Sequence, residues 1–322
     1  MKAHYQVIIS AVIGTALLMG CQSPNSVDDV EANKSQTNNT DEPTSTESIA
    51  EERYFIKNVG TGKYLNVDGN SSADKTNVSI YSKDIHQPRG QIFKITKNGN
   101  GYMLKPDCSS GVLNVFADNS YNGADVNIYK KSGSSTQTWL FTEVGSGAHR
   151  ITSGNSTDHD YALTATGSSN RSNVTIQTYS SINKNQQWLL EKVSDRQLLT
   201  DHLEDRVGEK WDSLGCGAFI RISFTNVFGT PHQGVCCAYQ CKIKFRDSSS
   251  KNPSIGETVF FNNKNIKCDN CGHNAGHVGI FIGNGYMIHA SGGKIQKTHI
   301  WNSDFFSSYY DGHGWYADKN LK

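Results

Sequence analysis

The sequence predicts a multidomain chain, an all-β part built from a repeated unit followed by a mixed α+β part. Three observations lead there. A motif recurs three times between residues 51 and 193. Beyond it the composition changes, and six of the eight cysteines and most histidines gather there. Thirty glycines and 14 tyrosines against 6 prolines and 4 methionines favour turn-rich β structure over helical bundles. A length of 322 residues leaves room for two ordinary domains. With 31 basic and 30 acidic side chains the net charge is +1, so charge gives no reason to expect a nucleic-acid partner.

Residues 1–20 read as a signal peptide, with Lys2 and His4 ahead of an apolar run from Val7 to Met19. The run is too short for a spanning helix. It ends in Leu18-Met19-Gly20-Cys21, which resembles a bacterial lipoprotein lipobox. That resemblance implies cleavage before Cys21, a lipid on its sulfur and anchoring to a lipid membrane at the cell envelope. A plain signal peptide with an incidental cysteine is the alternative. Residues 21–50 lack aromatics and are rich in Ser, Thr, Asn, Asp and Glu, so they cannot bury enough apolar surface to offset ordering. They read as a polar tether.

Residues 51–193 carry the repeats. Tyr64-Leu65-Asn66-Val67, Val112-Leu113-Asn114-Val115 and Ala162-Leu163-Thr164-Ala165 each precede an alternating segment around Val78, Val126 and Val174. Each unit closes on Gln91-Ile92-Phe93, Gln137-Thr138-Trp139 or Gln186-Gln187-Trp188. Alternating apolar positions turn one face of every strand to a shared interior, and three similar units predict a closed threefold structure. The pattern resembles the ricin B-type lectin domain, which implies a β-trefoil and a glycan partner. Family members that bind sugars place an Asp where Asn66, Asn114 and Thr164 stand here. Asp68, Asp118 and Asp125 are nearby carboxylates. Asn66, Asp68, Asn114 and Asp125 are therefore the candidate carbohydrate-binding residues, and a trefoil serving only as a spacer is the rival.

Residues 194–322 hold the chemistry. Val278 to Ile282 and Tyr286 to Ala290 flank Asn284-Gly285, a hairpin turn signal. His277 opens the first strand and His289 lies late in the second, which brings the two roughly side by side. Upstream, Phe219, Ile220, Phe224, Val227 and Phe228 fall near helical spacing, with Gly229 as a stop. Cys216 then sits at a helix N-terminus, where free amides and the helix dipole favour a thiolate. A cysteine nucleophile needs an imidazole to move its proton, and that imidazole needs a partner to fix its tautomer. No metal or other cofactor is required.

The helix-start Cys216, Gly256-Glu257-Thr258-Val259-Phe260-Phe261 and the hairpin together resemble the NlpC/P60 family of papain-like cysteine peptidases. The resemblance implies a papain-like α+β fold, Cys216 as nucleophile, His277 as base and His289 as orienting residue. It also implies cleavage of amide bonds in peptidoglycan stem peptides. Gly215 and Gly217 stand where the family carries Asp and Ser. A family tyrosine falls near Glu204, and Trp211 is the nearby aromatic, out of register. Cys236, Cys237, Cys241, Cys268 and Cys271 admit disulfides, zinc ligation or free thiols. Two rival functions stay open. One is a glycan-binding toxin component, resembling the A subunit of cytolethal distending toxins up to residue 193. The other is an acyltransferase or deamidase run by the same Cys–His pair.

Overall fold

Four strands arise from each repeat. They are β1 (Arg53–Asn58), β2 (Tyr64–Val67), β3 (Val78–Tyr81) and β4 (Ile92–Asn98), then β5 (Gly101–Pro106), β6 (Val112–Val115), β7 (Ala124–Tyr129) and β8 (Trp139–Glu143). The third unit supplies β9 (Ala148–Ser153), β10 (Tyr161–Ala165), β11 (Ser172–Thr178) and β12 (Gln187–Lys192). The computed structural model describes residues 48–118, 121–155, 160–211, 215–235, 237–262 and 272–316. The signal segment with Cys21, most of the tether, and Cys236, Cys268 and Cys271 lie outside the described residues.

Last strand meets first: β12 runs antiparallel to β1 from Tyr54↔Lys192 to Asn58↔Trp188. The alternation read from the sequence is what fills the interior. Leu65 and Val67, Leu113 and Val115, Leu163 and Ala165 are all at most 1% exposed. The signature residues do the same work in each unit. The side chains of Gln91, Gln137 and Gln186 donate to the carbonyls of Ser82, Lys130 and Thr178 at 2.9–3.0 Å. They also accept from the amides of Asp84, Ser132 and Ser180. Trp139 and Trp188 are fully buried, and their indole N–H groups donate to Leu113 O and Leu163 O. Phe93 has no N–H, and fills the same role by packing alone.

After Lys192 the pattern changes from alternation to helical spacing. Helix α1 (Asp195–Asp205) is capped by the Ser194 hydroxyl, which accepts from Gln197 N. Helix α2 (Gly215–Phe228) buries Phe219, Ile220, Phe224 and Val227 on one stripe, as its spacing predicts. It stops at Gly229, whose φ of 67° is the left-handed conformation a glycine adopts cheaply. Helix α3 (Ala238–Phe245) follows, then β13 (Thr258–Phe261), β14 (His277–Gly283), β15 (Tyr286–Ser291), β16 (Lys294–His299), α4 (Asp304–Tyr309) and β17 (Tyr310–Gly314). The strands form one antiparallel sheet in the order β16-β15-β14-β13-β17. Among the described residues no helix is long and apolar enough to cross a membrane.

The two parts share a core. Phe55, Tyr64 and Ile92 of the β part belong to the same buried cluster as Leu199, Phe219, Phe224 and Val278. Arg53 reaches both Asp107 and Asp195, one on each side of the junction. The His202 ring of α1 is 1% exposed, and its Nδ1 lies 3.2 Å from Ile85 O. The guanidinium of Arg89 lies against Gly229, at the C-terminal end of α2, where a cation is favoured by the helix dipole.

Candidate active site

The hairpin positions the histidines. Asn284 and Gly285 form its turn with φ of 50° and 79°, the positive pair that a two-residue connection needs. A register shift between Phe281 and Gly283 then slides the strands by one residue, giving Ile280↔Ile288. His289 consequently faces Gly279, and His277 becomes its diagonal neighbour on the same face. A Cβ on Gly279 would stand 2.7 Å from Met287 Sδ and 3.2 Å from His289 Cβ. The glycine therefore gives the His277 ring room to lean across. Its Nε2 lies 2.7 Å from His289 Nδ1, with the rings nearly perpendicular at 88°. His289 Nε2 in turn lies 2.9 Å from the Thr298 hydroxyl on β16.

Cys216 comes from the opposite layer. It is the second residue of α2, and α2 packs on β14 and β15. The amide N–H groups of Val278, Cys216 and Gly217 point at its sulfur. Val278 follows His277 in the chain, so its amide brings the start of α2 beside the start of β14. With Nε2 committed to His289, Nδ1 is the His277 nitrogen left for a second partner. The two predicted histidines are in contact, and Thr298 extends them into a chain that the sequence reading missed.

Burial governs the electrostatics. Enclosure pushes the Cys216 thiol up to about 11, and it outweighs the three amides that favour the thiolate; neighbouring Cys237 raises it further. Burial thus opposes the thiolate that the helix-start amides favour. Burial also holds both imidazoles well below the ordinary histidine range, and for His277 the neighbouring His289 adds to it. Phe306 of α4 contributes to that enclosure, with ring centroids 5.5 Å from His277 and 5.2 Å from His289. Both shifts favour the neutral thiol and neutral imidazoles over the charged pair at rest.

The departures noted in the sequence have structural roles. Trp211 donates from its indole to Gly215 O and meets Phe219 edge-on, so it steadies the start of α2. Glu204 pairs with Lys297 on β16. Cys241 is a free thiol, fully buried beside Cys216 and Cys237. Among the described residues no group of three or more His, Cys, Asp or Glu side chains is placed to hold a metal.

The candidate glycan residues do not converge. Asp68 accepts from Asn77 and Ser79 within its own repeat. Asn66 is 3.4 Å from Asp68. Asp125 is exposed and accepts from Asn173 at 2.7 Å, at the seam between the second and third repeats. Asn114 lines a cavity of about 360 Å³, walled also by Phe116, Asn127, Tyr129, Lys75 and Ser132. Its amide is already spent on Val115 O, Asn127 Oδ1 and the Thr136 hydroxyl. Phe116, 41% exposed, supplies an aromatic face that the sequence reading did not pick out.

Comparison with known proteins agrees with this architecture. Residues 44–129 match the family model of the ricin-type beta-trefoil lectin domain-like group, and residues 206–315 match that of the NlpC/P60 family. No curated protein matches the chain. Among solved structures, the designed threefold-symmetric protein ThreeFoil is 29% identical, with a TM-score of 0.41 over 44% of this chain and 99% of its own. The Rhizoctonia solani agglutinin is 21% identical, with a TM-score of 0.39 over 46% of this chain and 99% of its own. The Macrolepiota procera ricin B-like lectin, solved in complex with lactose, is 18% identical, with a TM-score of 0.38 over 46% and 100%. The chain is multidomain, a β-trefoil lectin-like part followed by an NlpC/P60 part of helices and strands.

Proposed function

We propose that the chain is a secreted cysteine peptidase that cleaves amide bonds in peptidoglycan stem peptides. Its trefoil holds it at a glycan surface, and a lipid on Cys21 holds it at the bacterial envelope. The observation that carries the reading is the His277–His289 contact at the start of β14, inside a segment that matches NlpC/P60 and with Cys216 at the start of the helix packed on β14 and β15. In the reaction, the Cys216 proton moves to His277 Nδ1 as sulfur attacks the carbonyl carbon. The carbonyl oxygen, gaining charge, is met by amides at the start of α2. Collapse of the tetrahedral adduct breaks the C–N bond, and the imidazolium returns its proton to the leaving amine. Water, deprotonated by His277, then hydrolyses the thioester and frees the thiol.

Digestion of purified peptidoglycan followed by mass spectrometry tests this. New stem-peptide termini are expected with the native chain and none with Cys216→Ala. A digest without new termini moves the reading to acyl transfer or deamidation by the same pair. Glycan binding is supported by the walls of the 360 Å³ cavity, where Phe116 and Tyr129 offer faces to a sugar ring and Asn127 a polar edge. Phe116→Ala should reduce retention on cell-wall polysaccharide, and unchanged retention would remove that cavity as the binding site. Anchoring is read from Cys21→Ser, which should shift the chain to the soluble fraction.

A further inference from the structure

The His277–His289 contact can be built in two proton orders, and only one is chemically useful. In the first, His277 donates from Nε2 to His289 Nδ1, and His289 donates from Nε2 to the Thr298 oxygen. His277 Nδ1 then carries a lone pair and can accept the Cys216 proton. In the reverse order the Thr298 hydroxyl donates to His289 Nε2, and His289 donates from Nδ1 to His277 Nε2. His277 then carries its proton on Nδ1 and has no lone pair there with which to act as a base. Both orders satisfy the same distances of 2.7 and 2.9 Å. Something at the far end of the chain has to choose between them.

We propose that Thr298 is a positioning residue that selects the productive order by accepting the Nε2 proton of His289, and so prepares His277 Nδ1 as the base. Its place in the fold suits the task. Thr298 sits on β16 opposite Met287, next to the strand that carries His289. It is half-buried, whereas His289 is 2% exposed. A half-exposed hydroxyl can give its own proton to water, which leaves an oxygen lone pair for the buried ring. Burial lowers both imidazoles, and for His277 the neighbouring His289 adds to it. A neutral hydroxyl therefore decides the direction without placing a charge in a buried site, which a carboxylate could not do at the same cost.

This proposal rests on the peptidase reading, but its test does not need the substrate. The probe is the full chain with ¹⁵N-labelled imidazoles, as the native protein, as Thr298→Val and as Thr298→Ser. Nitrogen NMR at pH 7 should show both His277 and His289 protonated at Nε2 in the native protein and in Thr298→Ser. In Thr298→Val the Nδ1–H forms should become populated. Alkylation of Cys216 by iodoacetamide should slow about tenfold in Thr298→Val and recover in Thr298→Ser. That is a fraction of the roughly 10²–10⁴ that a positioned base supplies. On peptidoglycan, kcat should fall with KM unchanged. Unaltered tautomers in Thr298→Val, or no recovery in Thr298→Ser, would overturn the proposal even if the native chain digests peptidoglycan. Shifted tautomers in a chain that digests nothing would uphold it and sink the substrate assignment instead.

Discussion

Gly279 shows how much of the site depends on one missing methyl group. Its backbone is ordinary strand, so space and not torsion requires the glycine. In Gly279→Ala the thioether of Met287 can swing aside, but His289 Cβ at 3.2 Å and Ile288 O at 3.3 Å cannot. The variant should fold with a loss of about 1–3 kcal/mol in urea denaturation. It should lose peptidoglycan turnover more than tenfold, as His289 is pushed away from His277. Full activity would mean that the His277–His289 contact is dispensable. Residues of this kind explain what could be read in advance. The placement of Cys216 at a helix start and the contact of His277 with His289 were legible because local motifs carry them, an apolar helical run and an Asn-Gly hairpin. Thr298 and Phe306 were not, since a threonine on a strand and a phenylalanine on a six-residue helix carry no local signal. They enter the site only through pairing of β15 with β16 and the return of α4 over the sheet.

Among the elements, the trefoil strands and α2 were legible for a common reason: each has a period, two or 3.6, and a punctuating residue. The position of the lectin-like part against α2 had no such signature. Ile92 illustrates why. Its place beside the Gln-x-aromatic motif marks it as a core residue of the trefoil, yet its side chain belongs to the cluster of the second part. Strand β4 thus serves two interiors from its two faces. Ile92→Ala should cost about 2–5 kcal/mol. It should also raise the rate at which buried Cys241, in the other part, is alkylated under mild denaturant. Unchanged protection of Cys241 would show that the two cores open independently.

For the whole molecule, the buried imidazoles set an acid limit. Burial, chiefly, holds His202 down to about 4, and His277 and His289 are likewise held below the ordinary value of 6.5. Below 6.5 the unfolded chain takes up protons that the native rings refuse. Stability from this source is therefore complete above about pH 6.5 and is lost progressively as pH falls toward 4. Each fully buried ring should account for roughly 2 kcal/mol between pH 6.5 and 4.5. Denaturant midpoints at pH 7.5 and 4.5 measure the slope. His202→Gln, which keeps a donor for Ile85 O, should flatten it, and an unchanged slope would assign the acid sensitivity to other groups.

The shared core has a further consequence, in the geometry of the products. A lectin on a swivel lets its enzyme cut anywhere within reach. Here Phe55, Tyr64 and Ile92 seat the trefoil in the core behind α2, so under the proposed function a sugar bound at the second repeat fixes the bearing of the Cys216 sulfur as well as its proximity. Such a molecule acts as a template with its own pitch. On an ordered polymer, early cuts should fall at a preferred offset from the bound sugar, and a brief digest should give a banded ladder of fragments. Loosening the seat through Ile92→Ala should smear those bands into a continuum before it slows the chemistry. An evenly smeared ladder from the native chain would show that the seat imposes no spacing.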